Sequence, residues 1–179
     1  VDVVVAMDVS GSMEGDKIAS ARQSLLEFID LLDDRDRLQI ILFNQNLTEL
    51  TPLSSLDEKR EDVKRRVSGV IEGGDTRLYD ATYQAHRELQ ENGDPRHIRA
   101  IVVLSDGADT VSEMALNQLI NEVGNLSEGG NATKIFTIAF GSGASENVLQ
   151  NIAEPTGGKQ YSGDPETISD VYADIATFF

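Results

Sequence analysis

No cysteine occurs in the 179 residues. Disulfides, thiol nucleophiles and thiolate metal sites are therefore excluded. Basic residues are scarce: 15 Lys and Arg stand against 31 Asp and Glu, a formal net charge of -16. Duplex nucleic acid is a poor partner for such a chain, because binding needs clustered Lys and Arg to replace counterions. Anionic lipid is disfavoured for the same reason. The acidity reads as solubility or salt adaptation, with some carboxylates free to bind cations. No apolar run approaches the roughly 20 residues of a membrane span. No secretory leader pattern is present. Histidine is limited to His86 and His97, one in a predicted helix and one just before a strand. Both read as surface residues rather than members of a catalytic triad.

Hydrophobic residues make up 40% of the chain, enough for a full core. Residues 1–179 read as one domain, excised from a larger protein, since Val1 leads directly into a core strand. Val3-Val4-Val5-Ala6-Met7 is a continuous apolar run, as a strand buried on both faces requires. Leu38–Phe43, Ile98–Leu104 and Lys134–Phe140 repeat that signal. Leu47–Leu53 alternates and contains Pro52, which marks an edge strand; the short turn before it demands an antiparallel course. A short last strand is expected around Lys159–Tyr161. Helical periodicity falls between the strands. Residues 17–32 carry Ile18, Ala21, Leu25, Phe28, Ile29 and Leu32 on one stripe. Ser55 and Glu58 form a capping-box pattern before a helix with Val63, Val67 and Ile71 inward. Leu78–Glu91 is a third helix. Ser112 is expected to cap a fourth, bearing Leu116, Leu119, Ile120 and Val123. Gly129-Gly130-Asn131 is a turn. A short helix lies near Glu146–Ile152. Pro165 stands at the first position of a final helix, whose face is Ile168, Val171, Tyr172, Ile175 and Phe178.

This alternation predicts an α/β, doubly wound, mostly parallel six-stranded sheet, Rossmann-like, with helices on both faces. In the common order 3-2-1-4-5-6, with strand 3 an antiparallel edge, strands 1 and 4 flank the switch point where such sheets bind ligands. Strand 1 ends in Asp8-Val9-Ser10-Gly11-Ser12, and strand 4 ends in Ser105-Asp106-Gly107. Thr76, on the glycine-rich loop Glu72–Thr76, reaches the same end. Each loop alone reads as an ordinary helix cap. Their joint placement favours a hard divalent cation, Mg2+, Mn2+ or Ca2+, over zinc or copper.

The segments Asp8-Val9-Ser10-Gly11-Ser12-Met13, Gly73-Gly74-Asp75-Thr76 and Leu104-Ser105-Asp106-Gly107 resemble the three parts of the metal-ion-dependent adhesion site of von Willebrand factor type A domains. The resemblance spans essentially the whole chain, and its wording is similar to bacterial members. It implies that Ser10, Ser12 and Thr76 bind the cation through hydroxyls, with Asp8 and Asp106 bound directly or through water. Met13, Asp75 and Gly107 are neighbours, not ligands. With so few carboxylates, the ion would keep an open position for the Glu or Asp of a partner protein. The resemblance also implies that the last helix shifts when Thr76 and Asp106 trade direct contact with the ion. Bacterial relatives are often periplasmic or surface parts of larger proteins, while others work beside cytoplasmic ATPases; the preference here is extracytoplasmic.

The alternative is an enzyme with Asp8 as an aspartyl nucleophile for phosphotransfer. That chemistry wants a second carboxylate where Ser10 stands, so a non-enzyme is expected. Gly157-Gly158-Lys159 lacks the rest of a Walker loop. An EF-hand reading fails because Met13 and Ala19 replace the required glycine and glutamate. Asp80 and Asp109 could orient the ligands or serve as caps. Sequons begin at Asn46, Asn125 and Asn131; such short motifs match by chance.

Overall fold

The computed structural model describes residues 1–124 and 132–179. The expected turn at 129–131 and the sequons at Asn125 and Asn131 lie outside the described residues. Six strands form one sheet: β1 (Asp2–Asp8), β2 (Arg37–Phe43), β3 (Leu47–Ser55), β4 (Arg99–Ser105), β5 (Lys134–Phe140) and β6 (Gln160–Gly163). Their order is β3-β2-β1-β4-β5-β6. Only β3 runs antiparallel to its neighbour. The predicted sheet, order and edge strand are thus observed. Pro52 has no N–H to give to the ladder, and the β2–β3 register shifts around Ile40. The Ile40 N–H is instead satisfied by Thr51 Oγ1 at 3.1 Å.

Among the described residues six α-helices cover the sheet: α1 (Asp16–Leu31), α2 (Arg60–Ser68), α3 (Leu78–Asn92), α4 (Leu116–Gly124), α5 (Glu146–Ala153) and α6 (Ile168–Ala176). Side chains alternate across β1, and the core divides accordingly. Val3, Val5 and Met7 pack with α1, α2 and α6, while Val4 and Ala6 pack with α3, α4 and α5. The whole predicted stripe of α1 is buried. Phe28 meets Tyr172 of α6 with ring centroids 5.1 Å apart. Each such large side chain contributes about 1.5–3 kcal/mol on burial.

Several local expectations are corrected. Ser55 ends β3 rather than capping α2, which starts five residues later; its hydroxyl donates to Asp34 O at 2.8 Å. Glu58 takes a positive φ of 58°, so the capping box does not form. Ile71 lies beyond the end of α2 and is 80% exposed. Leu116 and Ile120 are half-buried. The last helix begins at Ile168, not Pro165. Residues 164–167 form a turn in which Asp164 Oδ1 accepts from the N–H groups of Glu166 and Thr167, each at 3.0 Å. Phe178 follows that helix and is 46% exposed, with one face on Phe136.

The two termini meet at the amino end of the parallel strands. Val1 and Phe179 line one hollow there, with Leu32, Asp36 and His97. Beside it, Asp2 is fully buried. It accepts from Arg37 Nη1 at 3.1 Å and from Asp94 N at 2.6 Å, and its Oδ1 lies 2.8 Å from His97 Nδ1. His97 is therefore half-buried and structural.

His86 is a further correction: α3 places it 4% exposed, not on the surface. Neither ring nitrogen has a hydrogen-bond partner among the described residues. Burial pushes its pKa down, Glu122 pulls it up, and Arg99 lowers it further. A base held neutral in the fold makes the unfolded chain the better proton acceptor. Stability is therefore expected to fall as pH drops below about 6.5, the unperturbed imidazole value. Urea denaturation at pH 7.5 and 5.5 should show a smaller difference in His86→Leu than in the native chain.

Candidate metal centre

β1 and β4 lie side by side and in parallel register up to Met7 and Leu104. The next residues are Asp8, which ends β1, and Ser105, which ends β4, so both chains open at one edge. After Asp8 the chain makes a single 3-10 turn, Gly11–Met13. Met13 is fully buried and plugs that turn into the core. Ser10 and Ser12 are thereby presented above the strand ends.

Hydrogen bonds join four of the five expected ligands into one chain. Asp8 Oδ1 accepts from Ser10 N at 2.8 Å, and Ser10 Oγ lies 3.0 Å from Ser12 Oγ. Ser12 Oγ donates to Asp106 Oδ1 at 2.6 Å. Ser105 closes the ring, its hydroxyl donating to Asp8 Oδ2 at 2.7 Å. Both oxygens of Asp8 are thus held. Asp8, Ser10, Thr76 and Asp106 are all buried, and Ser12 forms the exposed rim.

Thr76 is brought alongside through its backbone. Gly11 N donates to Gly74 O at 2.9 Å, and Gly73 N donates to Val9 O at 2.8 Å. Gly74 has φ +88°, and a Cβ there would strike the Gln45 amide; a glycine is needed. On its other side Thr76 N donates to Thr110 Oγ1, and Thr110 N donates to Thr76 O, each at 2.9 Å.

Asp80 and Asp109 serve as caps. Asp109 Oδ1 accepts from Tyr79 N at 3.1 Å, in the first turn of α3. Asp80 returns the favour across the gap, accepting from the N–H groups of Glu113 and Met114, each at 3.0 Å. Ser112 does not cap α4: its hydroxyl accepts from Asp80 N at 3.1 Å. Together these bonds staple the Thr76 loop to the loop after β4.

The donors are two carboxylates and three hydroxyls. Among the described residues, no three His, Cys, Asp or Glu side chains gather as a metal cluster. Hydroxyl and carboxylate oxygens suit hard cations. Asp8 is fully buried, and desolvation pushes its pKa up despite the bonds from Ser10 and Ser105. Asp106 adds like-charge repulsion. An anion held in that setting gains from a nearby cation. The residues therefore fit the cation that the sequence pattern implies.

Three contributors escaped the sequence reading: Ser105, Thr110 and Lys17, whose ammonium lies 2.5 Å from Asp106 Oδ2. Ser105 was within reach of a register argument, because it follows Leu104, the partner of Met7. Nothing in the sequence alone signals the other two.

A family model, von Willebrand factor type A domain, matches residues 2–172. The chain belongs to the von Willebrand factor type A family. Human inter-alpha-trypsin inhibitor heavy chain H4 is 28% identical over 188 residues, covering 98% of this chain and 20% of that protein. The chain thus spans about a fifth of the length of such curated relatives. Among solved structures, a von Willebrand factor type A protein from Catenulispora acidiphila superposes with TM-score 0.84 at 21% identity, covering 97% of this chain and 41% of that one. Proximal thread matrix protein 1 from the mussel byssus, with a zinc-occupied adhesion motif, gives 0.77 at 16% identity, covering 99% and 45%. No helix among the described residues is long and apolar enough to cross a membrane.

Proposed function

We propose that this von Willebrand factor type A domain is a metal-dependent protein-binding module. Asp8, Ser10, Ser12, Thr76 and Asp106 would hold the divalent cation, and the bound cation would supply an open position for a partner's Glu or Asp. Mg2+ suits this role best, because it keeps waters that a carboxylate can replace. One observation carries the reading: the ring from Asp8 through Ser10, Ser12 and Asp106 to Ser105 gathers hard oxygen donors at the switch point of the sheet. The zinc-occupied motif of the mussel protein supports a divalent ion in this fold. The adhesion-type motif and the extracytoplasmic, bacterial setting belong to the same proposal.

The enzyme reading has less behind it. Position 10 offers a hydroxyl where phosphotransfer wants an acid, and His86 and His97 lie outside the ring. A pull-down with and without EDTA tests the binding reading. Thr76→Ala should lower metal-dependent capture about tenfold, within the range for losing a metal-site contact. Capture that is equal in EDTA, or equal for Thr76→Ala, would sink it.

A further inference from the structure

Lys17 lies in the first turn of α1, where a positive charge opposes the helix dipole. Its location therefore needs another reason. Lys17 Nζ donates to Asp106 Oδ2 at 2.5 Å and to Ser12 O at 3.3 Å. The Asp106 side chain is fully buried, whereas that of Lys17 is 32% exposed. The lysine stem passes over Gly141, where a Cβ would come within 3.4 Å of Lys17 Cε. Gly141 takes φ +78°, so the turn after β5 that the stem crosses needs a glycine for its backbone. The ammonium thus sits against one of the two carboxylates of the cation site. Asp8, the other, has no ion-pair partner among the described residues.

We propose that Lys17 holds down the cation affinity of this centre by offsetting the charge of Asp106. The inference rests on the cation reading above. A positive charge touching a ligand carboxylate weakens that ligand toward a second cation, whether the ammonium stays or is displaced. A plain structural role, in which Lys17 only steadies Asp106, predicts the opposite sign: removing it would loosen the ligand and weaken binding.

Calorimetric titration with MgCl2 alone decides between these signs. Lys17→Met keeps the stem and removes the charge; Lys17→Gln removes the charge but keeps a donor. Both should bind Mg2+ about tenfold more tightly than the native chain, equivalent to about 1.4 kcal/mol. Lys17→Arg should stay within about twofold of the native value, since the charge is kept. In EDTA, both neutral variants should melt lower than the native chain, because buried Asp106 loses its counter-charge. Native-like or weaker Mg2+ binding by both neutral variants, with circular dichroism showing them folded, would overturn the proposal. If the native chain and all variants bind no Mg2+, the cation reading itself fails and takes this inference with it.

Discussion

Asp8→Asn is expected to abolish the rise in melting temperature that the proposed Mg2+ site should give the native chain, while leaving the chain in EDTA at least as stable as before. The two effects have opposite signs because Asp8 does two things. Its carboxylate is fully buried and pushed toward the protonated form by desolvation, so its charge costs stability on its own. An amide of the same shape still accepts from Ser10 N and can donate to Ser105 Oγ, the two groups that hold Asp8. It offers a divalent ion no charge, however. Loss of outer contacts in metal sites costs roughly 10–100-fold in affinity, so loss of a charged ligand should reach at least about 100-fold. Thermal shift with MgCl2 and with EDTA reads both halves. An Asp8→Asn chain that still responds to Mg2+ like the native one would remove Asp8 from the ligand set.

Asp2→Ala acts at the other end of the sheet and should cost about 3 kcal/mol. Breaking a buried charge pair from one side costs roughly 3–5 kcal/mol, because the abandoned partner stays in the fold. Here Arg37, His97 and the Asp94 N–H would all lose their acceptor. The Arg37 and His97 side chains are 25% and 34% exposed, so water compensates in part and the low end applies. For a chain of this length that is a fall of about 6–12 °C in melting temperature. Urea denaturation measures it. The Mg2+ response should survive, since the site lies beyond the far ends of the strands. A cost under about 1 kcal/mol would mean that water replaces the carboxylate almost fully.

The legibility of this chain follows from what each feature depends on. Val3–Met7 and Ile101–Leu104 are buried on both faces, so their apolar runs announce central strands regardless of context. Once those strands are neighbours, Asp8 and Asp106 must fall at one edge, and the candidate site follows from topology. What was misread depends on partners distant in sequence. Ser55 looks like a cap until Asp34 O takes its hydroxyl. Ser112 looks like a cap for the helix after it, but serves the start of α3 instead. His86 sits at a helical position whose neighbours α4 and β4 are set by the fold, so its burial has no local signature. Nothing in the sequence marks Lys17, whose counter-charge comes from the loop after β4.

Val1 and Phe179 share one hollow at the amino end of the strands, whereas Asp8 and Asp106 stand at the opposite pole. A tether attached at either terminus would therefore leave the serine rim facing outward. Immobilising the domain on a sensor chip by its first or its last residue should give the same ligand-binding curve. Fusion partners on both termini at once would crowd each other before they shade Ser12.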